Sequence, residues 1–394
     1  MKKTLIAFAA LTAIAGIAQA QSTVTIYGLV DANIKSFKSN VAVGTGAGAT
    51  IQQVTQTGID SGGLNGSRWG IRVNEDLGGG LAAVANLESG FSIDSGSQAT
   101  SVLGTGPSAG TPALFNRRAN VGVTSSAFGT VTLGRNSTSY DDVSADHAMM
   151  GSTLFDPSYQ FANAINPTSA VAASTTAGIA NLISRPAAWV GYNQRFNNSI
   201  KYISPNFSGF SGSATYGFGE DKTTSVGASK SVSANLKYAN GPLVVSGGYQ
   251  SEGFARTGDA KPALENTLLS VAYDLGVAKI GAGFNRSKLK DVTVPTNLGG
   301  NGTATFAAQK EYSLSVAVPL GATTLSAGYA QSKGDTLGKS SGFGVQALYS
   351  LSKRTTLYAG AQNIKAYSNV VAAAPVNSNV GRSMLYAAGV RHTF

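Results

Sequence analysis

The sequence of 394 residues contains no cysteine. Disulfide bonds and cysteine-ligated metal sites are therefore excluded, and stability must come from burial and hydrogen bonding. Histidine is almost as scarce, because His147 and His392 are the two present, too distant in sequence to suggest a histidine-based metal site. No nucleophile elbow or phosphate-binding glycine loop occurs. We expect no metal, no cofactor and no catalytic residue, and thus no enzyme.

Long hydrophobic runs are also missing. After residue 20 no stretch reaches the roughly 18 apolar residues that a membrane-spanning helix needs, and the mean hydropathy is +0.03. The N-terminus differs, since Lys2 and Lys3 precede a short apolar run that ends in Ala18-Gln19-Ala20. This pattern predicts a signal peptide over residues 1–20 and an exported mature chain that begins at Gln21.

Charged residues make up 12% of the chain, about half of the usual share. The formal charge is +10, which falls to +8 when Lys2 and Lys3 are removed. The remaining basic residues are scattered and form neither a run nor a basic helix, so a nucleic-acid partner is not expected.

Alternation of apolar and polar residues is what the sequence does have. In 310–318 one face carries Tyr312, Leu314, Val316 and Val318, and the other carries Glu311, Ser313, Ser315 and Ala317. The same two-residue period recurs in 323–332 and 343–351. Alternation over about ten residues is typical of a strand with one apolar and one polar face.

Tight turns and long polar segments separate these strands in a regular order. Seven turns such as Asn240-Gly241-Pro242 and Pro319-Leu320-Gly321 alternate with eight longer stretches. The longer stretches lie near 38–66, 92–113, 137–186, 220–229, 251–263, 287–308, 332–340 and 366–382. The order predicts an all-β, antiparallel up-and-down barrel of about 16 strands.

The barrel must close and must be hollow. Hydrocarbon offers the backbone no hydrogen-bond partner, so a membrane-spanning sheet has no open edge. Aromatic residues near the strand ends, including Tyr329 and Tyr349, fit the girdles of a lipid-facing band. About 16 strands enclose too wide a space for side chains to fill, which leaves an aqueous lumen.

Several segments in fixed order carry a resemblance to a known family. They include Val24 to Asp31, Ser67-Arg68-Trp69-Gly70, Asn116 to Gly122, Phe128 to Arg135, and Gly389 to Phe394. With them the whole sequence resembles the general porins of Gram-negative outer membranes, most closely the β-proteobacterial trimeric type. The resemblance implies a homotrimer, a third external loop folded into the lumen, and recognition of Phe394 by the barrel-assembly machinery.

The longest polar stretch, 137–186, is interpreted through that resemblance as the constriction loop. It directly follows Arg135 and carries Asp141, Asp142 and Asp146. A segment of this length is usually functional or disordered. The alternative that it is a solvated external loop stays open.

Opposite such a loop the family has basic side chains on the barrel wall, and the strand period selects candidates for them. In each strand the neighbouring apolar residues are expected to face the lipid. The alternate positions, which face the lumen, are then Arg68, Arg72, Arg118, Glu88 and Lys201. Arg195 is added by its position on the same strand as Lys201. Arg185 is added by the resemblance, and Arg135, directly before the loop, is also a candidate for the constriction. Arg117 has the outward phase unless a bulge intervenes. For each residue a structural ion pair is the alternative to a role in the pore.

These residues predict a passive diffusion channel for small hydrophilic solutes, with a preference for anions because the lumen carries excess positive charge. Expected partners are outer-membrane lipid and lipopolysaccharide, the assembly machinery, and the solutes themselves. Two alternatives remain, a substrate-specific channel with a saturable binding site and a barrel that serves as an adhesin or structural anchor.

Overall fold

The computed structural model describes residues 22–43, 50–98, 113–158, 188–219, 222, 226–253, 256–257, 261, 263–290, 293–295, 303–305, 308–334, 338–365 and 381–394. The predicted signal peptide lies outside this part and stays a prediction. Within the described residues, no helix is long and apolar enough to cross a membrane.

The described residues form antiparallel strands. In chain order these are β1 (Thr23–Val43), β2 (Thr50–Ser61), β3 (Arg68–Gly78), β4 (Leu81–Gly90), β5 (Arg118–Ser125), β6 (Gly129–Ser137), β7 (Arg195–Ile203), β8 (Phe210–Gly217), β9 (Val226–Gly227), β10 (Ser231–Asn240), β11 (Leu243–Gly253), β12 (Arg256–Thr257), β13 (Ala263–Asp274), β14 (Lys279–Lys290), β15 (Thr293–Pro295), β16 (Thr303–Thr305), β17 (Gln309–Leu320), β18 (Thr323–Gly334), β19 (Gly338–Ser350), β20 (Thr355–Lys365) and β21 (Arg382–Thr393). The pairs β9–β12 and β15–β16 are separate two-stranded sheets, and the remaining 17 segments form one sheet.

These 17 segments make 16 strands around the barrel. The outer half of β1 pairs with β2 and its first residues pair with β3, both antiparallel. Because β2 and β3 run in the same direction along the same side of β1, they are two parts of one strand interrupted at 62–67. The predicted 16-stranded antiparallel barrel is confirmed.

The first and last strands close the sheet. β1 and β21 pair from Leu29 opposite Thr393 to Lys38 opposite Met384. The backbones of Gly28 and Phe394 add two hydrogen bonds of 3.1 and 3.0 Å. Closure gives the edge N–H and C=O groups partners that lipid could not supply.

Burial is inverted relative to a soluble protein. On β17, the outward Leu314 is 62% exposed whereas the inward Glu311 is fully buried. On β18, Tyr329 is 45% exposed and its inward neighbour Ser326 only 6%. The alternation in the sequence thus separates an apolar outer surface from a polar interior.

Strands extend further than the sequence predicts at the end that carries the long loops. The predicted loop 38–66 is mostly strand, since β1 runs to Val43 and β2 occupies Thr50–Ser61. The predicted loop 332–340 likewise shrinks to the short link between β18 and β19. Both predictions were wrong because a strand that leaves the apolar band keeps its backbone pairing while its outward residues become polar. The alternation signal then disappears although the strand continues.

Candidate functional site

A cluster of arginines surrounds Glu88 on the inner wall formed by β1, β3, β4 and β5. Arg117 binds the carboxylate of Glu88, with 2.6 Å from Nε to Oε1. The Tyr27 hydroxyl donates to the other carboxylate oxygen at 2.9 Å. The Arg72 guanidinium lies over the Tyr27 ring, 4.8 Å from its centroid, a cation–π contact that fixes its position.

Two further arginines complete this cluster. Arg118 is the cross-strand neighbour of Glu88, and Arg68 donates from Nε to the carbonyl of Gly66 at 2.9 Å. Both charges interact electrostatically with Glu88. The basic cluster, defined as Arg68, Arg72, Arg117, Arg118 and Glu88, therefore holds four guanidinium groups and one carboxylate, an excess of three positive charges.

Arg117 points into the barrel, opposite to the direction that the strand period predicts for it. Its position in the sequence gives it the outward phase, but it precedes the first residue of β5. Its side chain passes close to Gly90, where an added Cβ would lie 3.0 Å from Arg117 Cδ. Glycine at position 90 leaves the space through which this guanidinium reaches the inward carboxylate of Glu88. The alternation of inward and outward side chains along a strand therefore does not predict the direction of a residue that precedes the strand.

The segment 138–158, which follows β6, runs along the inner wall of the barrel and contacts many strands in turn. The backbone N–H of Tyr140 donates to Ser233 Oγ on β10 at 2.7 Å. Its hydroxyl reaches Asn285 on β14 at 2.8 Å. Further on, the N–H of Met149 donates to Ser315 Oγ on β17 at 3.0 Å. This part of the predicted constriction loop is inside the barrel.

The loop carboxylates are held by neighbouring residues. Lys201 binds Asp142 at 2.6 Å, and Lys237 binds Asp146 at 2.9 Å. The Tyr192 hydroxyl donates to Asp141 at 2.7 Å. Burial raises the pKa of Asp141, which its hydrogen bonds oppose. Lys201 thus belongs to an ion pair that ties the loop to the wall, the alternative left open by the sequence.

Lys237 is absent from the sequence-based candidates. Its strand β10 alternates with Val232 and Leu236 exposed outward and Ser233 and Asn235 buried or half-buried inward. The same period that selected Lys201 could have selected Lys237, with Leu236 as its outward neighbour.

The other predicted basic residues occupy different surroundings. Arg135 follows Gly134, at a register irregularity where the φ angle of that glycine is 123°, and donates from Nε to the Asn116 carbonyl at 2.7 Å. Arg195 is buried at the start of β7 and donates to Gln194 at 3.2 Å. Arg185 lies outside the described residues.

Two buried glutamates hold the returning segment 188–194. Glu311 on β17 accepts the backbone N–H of Val190 at 2.6 Å. Glu252 on β11 accepts both the N–H and the side-chain amide of Asn193, each at 2.6 Å. Both glutamates point inward and are almost fully buried. They accept hydrogen bonds from N–H groups of this segment, which precedes β7.

The interruption between β2 and β3 turns residues 62–67 into the barrel, where they meet the loop. The carboxyl group of Asp31 accepts hydrogen bonds from the backbone N–H groups of Gly63, Leu64 and Asn65, at 3.1, 2.8 and 2.9 Å. The carbonyl of Gly63 in turn accepts the N–H of Leu154 at 2.9 Å. Asp31 therefore shapes the turn against which the far part of the loop rests.

We expect Asp31→Ala to lower the free energy of unfolding by about 3 kcal/mol, because three backbone N–H groups lose the carboxyl group that accepts their hydrogen bonds. Urea titration of the protein refolded in detergent micelles measures this change. Asp94→Ala, at an exposed turn position, is the control and should cost less than about 0.5 kcal/mol. Equal stabilities of the two variants would contradict this role of Asp31.

A cavity of about 280 Å³ opens against the inner wall beside the basic cluster. Its charged lining residues are Arg72, Arg118 and Lys201, and most of the others are asparagines and threonines. Amide and hydroxyl donors beside guanidinium groups suit small anions and hydrated polar solutes.

In the part of the chain that the structure describes, no group of three or more histidine, aspartate or glutamate side chains is arranged to hold a metal ion. His147 is buried and stacks on Trp189 with ring centroids 5.4 Å apart. Burial lowers the pKa of His147 to about 4, so its imidazole is neutral at neutral pH. His147 is a packing residue of the loop.

Comparison with known proteins agrees with this geometry. The model of the Gram-negative porin family matches residues 7–368. The chain is 29% identical to an outer membrane porin protein of Bordetella pertussis, with all of both chains covered. It is 32% identical to outer membrane porin protein 32 of Delftia acidovorans over 74% of this chain and 71% of that relative. An anion-selective porin from Comamonas acidovorans has a similar fold, with a TM-score of 0.69 at 24% identity and coverage of 95% of this chain and 100% of that one. The chain belongs to the Gram-negative porin family.

Proposed function

We propose that the protein is a passive diffusion channel for small hydrophilic solutes in the outer membrane and that it prefers anions. The observation that carries this proposal is the basic cluster, whose three excess positive charges lie on the inner wall beside a polar cavity. Excess charge of one sign in a narrow aqueous passage raises the local concentration of the opposite ion.

The ion pairs of the long loop support the proposed preference for anions. An acidic loop opposite a basic wall would set up a transverse field with both signs facing the opening. Here Asp142 and Asp146 are instead paired with Lys201 and Lys237, which neutralises two of the three predicted loop charges. The arginines of the basic cluster are left to dominate the potential. We propose that the loop 137–186 narrows the passage and that Arg68 and Arg118 act in the pore.

The remaining assignments follow the family resemblance. We propose a homotrimer, export directed by the signal peptide 1–20, and contact with outer-membrane lipid and lipopolysaccharide. Phe394 is proposed as the residue that the assembly machinery recognises. It is 51% exposed at the end of β21, and its backbone closes the barrel against Gly28. No catalytic step is proposed, since porins are channels.

Reversal-potential measurements in planar bilayers under a KCl gradient test the proposal. We expect steady conductance that grows linearly with salt concentration. We also expect a reversal potential with the same sign as the equilibrium potential of chloride. Conductance that saturates with one solute would favour the substrate-specific channel, and no steady conductance would favour the adhesin. A reversal potential on the potassium side would contradict anion preference.

A further inference from the structure

Four small residues form a row across the inner wall on adjacent strands. Register places Gly281 of β14 opposite Ser315 of β17, Ser315 opposite Gly328 of β18, and Gly328 opposite Gly344 of β19. Adjacent strands lie about 4.8 Å apart, so this small-residue row spans about 14 Å. All four residues point inward. The residues next to them, which point outward, are the exposed Ile280, Leu314, Tyr329 and Phe343.

The long loop rests on this small-residue row, and one residue of the row binds it by hydrogen bonds. The hydroxyl of Ser315 donates to the carbonyl of His147 at 2.8 Å. The same oxygen accepts the backbone N–H of Met149 at 3.0 Å. These two bonds hold the loop backbone against β17, in the middle of the barrel wall that the row crosses.

The two glycines at the ends of the row leave the space that the loop backbone occupies. A Cβ added at Gly281 would overlap the carbonyl oxygen of His147, and a Cβ added at Gly344 would overlap the carbonyl oxygen of Phe155. To restore ordinary van der Waals contact, the loop would have to move away from the wall by at least about 1 Å. The absence of side chains at these positions therefore sets how close the loop lies to the wall.

The barrel itself does not require glycine at either position. Neither Gly281 nor Gly344 has the left-handed backbone conformation that favours glycine. The three atoms nearest to the added Cβ of Gly281 all belong to the loop. At Gly344 the nearest wall atom is the Ala361 carbonyl oxygen at 3.5 Å, an ordinary contact. Since glycine inside a strand weakens the strand, the position of the loop is the structural reason for glycine here.

Gly328, in the same row, has different surroundings. The atom nearest to its added Cβ is Met150 Cε at 2.8 Å, the flexible end of a side chain, and the next atoms lie at 3.6 Å. Alanine at position 328 is accommodated when the end of Met150 rotates. The loop backbone does not have to move, so Gly328 is a matched control on the same face of the wall.

The loop segment on the row is a compact succession of turns. The N–H groups of Ala148, Gly151 and Thr153 each donate to the carbonyl three residues earlier, at 3.0, 2.9 and 3.1 Å. Such turns fix the backbone locally. A displacement at the wall is therefore transmitted to the side of the loop that faces the lumen.

The direction of that displacement follows from the order of the strands. In the barrel of 16 strands, with β2 and β3 counted as one, β14 lies eight strands from β4 in either direction. The wall that supports the loop at Gly281 is thus across the lumen from β4, which carries Glu88 of the basic cluster. A loop that is pushed away from the small-residue row moves toward the basic cluster.

We propose that Gly281 and Gly344 determine the size limit of the channel. They let the loop lie close to the wall, so that a wider passage remains between the loop and the basic cluster. Both are positioning residues that act through the loop. The inference deepens the proposed function and rests on it, because it assumes that solutes pass between the loop and the basic cluster. It separates the residues that determine solute size from the arginines that determine charge preference.

Single-channel conductance and sugar uptake into proteoliposomes test the proposal with Gly281→Ala/Gly344→Ala. Conductance should fall at least about 1.5-fold, because the passage is narrower. Uptake of a neutral disaccharide should fall at least about threefold and that of a monosaccharide less than about twofold, since narrowing hinders the larger solute more. The reversal potential under a KCl gradient should keep its sign, because the basic cluster is unchanged.

Two single variants are the controls. Gly328→Ala adds the same methyl group within the row, where only the end of Met150 has to move. Gly247→Ala adds it on the outer face of β11, where the nearest atom is Leu269 Cδ2 at 3.6 Å. Both should retain the conductance and the size dependence of the wild type. A loss in Gly328→Ala as large as in the double variant would overturn the proposal, as would a higher conductance of the double variant.

The ratio of the two sugar rates distinguishes a narrower passage from fewer folded channels. An equal loss for both sugars in the double variant would overturn the proposal. If the double variant does not fold, Gly281→Ala and Gly344→Ala are measured singly, and each should lower the disaccharide rate more than the monosaccharide rate. Wild-type size dependence in both single variants would also overturn it.

The wild type in the same preparations distinguishes this inference from the proposed function. An anion-preferring wild type whose glycine variants keep its size dependence refutes the role of Gly281 and Gly344 alone. Narrowed glycine variants of a wild type that prefers cations refute anion preference alone. A wild type without steady conductance refutes the channel and this inference together.

Discussion

Replacing Arg68 and Arg118 together by glutamate should convert the channel from anion-preferring to cation-preferring. The basic cluster then holds two guanidinium groups and three carboxylates, so its excess of three positive charges becomes an excess of one negative charge. In water, a single charge changes the energy of an ion about 4 Å away by about 1 kcal/mol. This energy changes the local concentration of that ion about fivefold. A change of four charge units at the passage is therefore sufficient to reverse the sign of the preference.

The reversal potential under a salt gradient measures this change. The control Lys353→Glu/Arg354→Glu likewise replaces two positive charges by negative ones, at an exposed turn. Both side chains are exposed at this turn, where salt at 0.1 M screens charges over about 10 Å, so the effect of this control should stay below about twofold. Arg68→Gln/Arg118→Gln should give an intermediate preference. Selectivity that is unchanged in both double variants would refute the role of the basic cluster.

Replacing Glu252 and Glu311 together by alanine should release the returning end of the long loop from the wall. Glu252 accepts two hydrogen bonds from Asn193, and Glu311 accepts one from Val190. Each buried donor that loses its partner costs about 1 to 3 kcal/mol. Together the three lost hydrogen bonds weaken the attachment of this segment by roughly 3 to 9 kcal/mol, enough to populate detached conformations. We expect a larger mean conductance with frequent fluctuations.

Limited proteolysis locates that change. Proteinase K should cut the double variant within 188–194 and leave the wild type intact there. Glu75→Ala removes an exposed carboxylate near a tight turn on β3 and should behave like the wild type in both measurements. A double variant that resists cleavage and conducts like the wild type would show that these glutamates do not hold the loop.

Much of the fold was predictable because the membrane imposes a simple rule on the sequence. The outward face must be apolar and the backbone must pair completely, so period and turn spacing together determine a closed barrel. The 16 strands, their antiparallel order and the inward phase of Glu88 follow from that rule. The strand ends do not, as the extension of β1 to Val43 shows. There the outer environment is water, and the rule no longer applies.

The connections inside the barrel were less predictable, because they join residues far apart in sequence. Nothing in the sequence around Asp142 indicates Lys201 as its partner, or Lys237 as the partner of Asp146. Arg117 was assigned the wrong direction because it lies just before β5, where backbone geometry is no longer fixed by strand pairing. The role of Gly90 in making space for Arg117 is visible only once the two are adjacent.

Cysteine labelling in liposomes tests the central claim most directly, since the chain has no cysteine of its own. Asn120→Cys and Thr132→Cys place a thiol at the lumen cavity, while Val121→Cys and Leu133→Cys place one on the exposed outer surface. A water-soluble thiosulfonate should modify the first pair and spare the second, and an anionic reagent should react faster than a cationic one of the same size. Equal modification of neighbouring positions, or faster reaction of the cationic reagent, would contradict a water-filled, positively charged lumen enclosed by a lipid-facing wall.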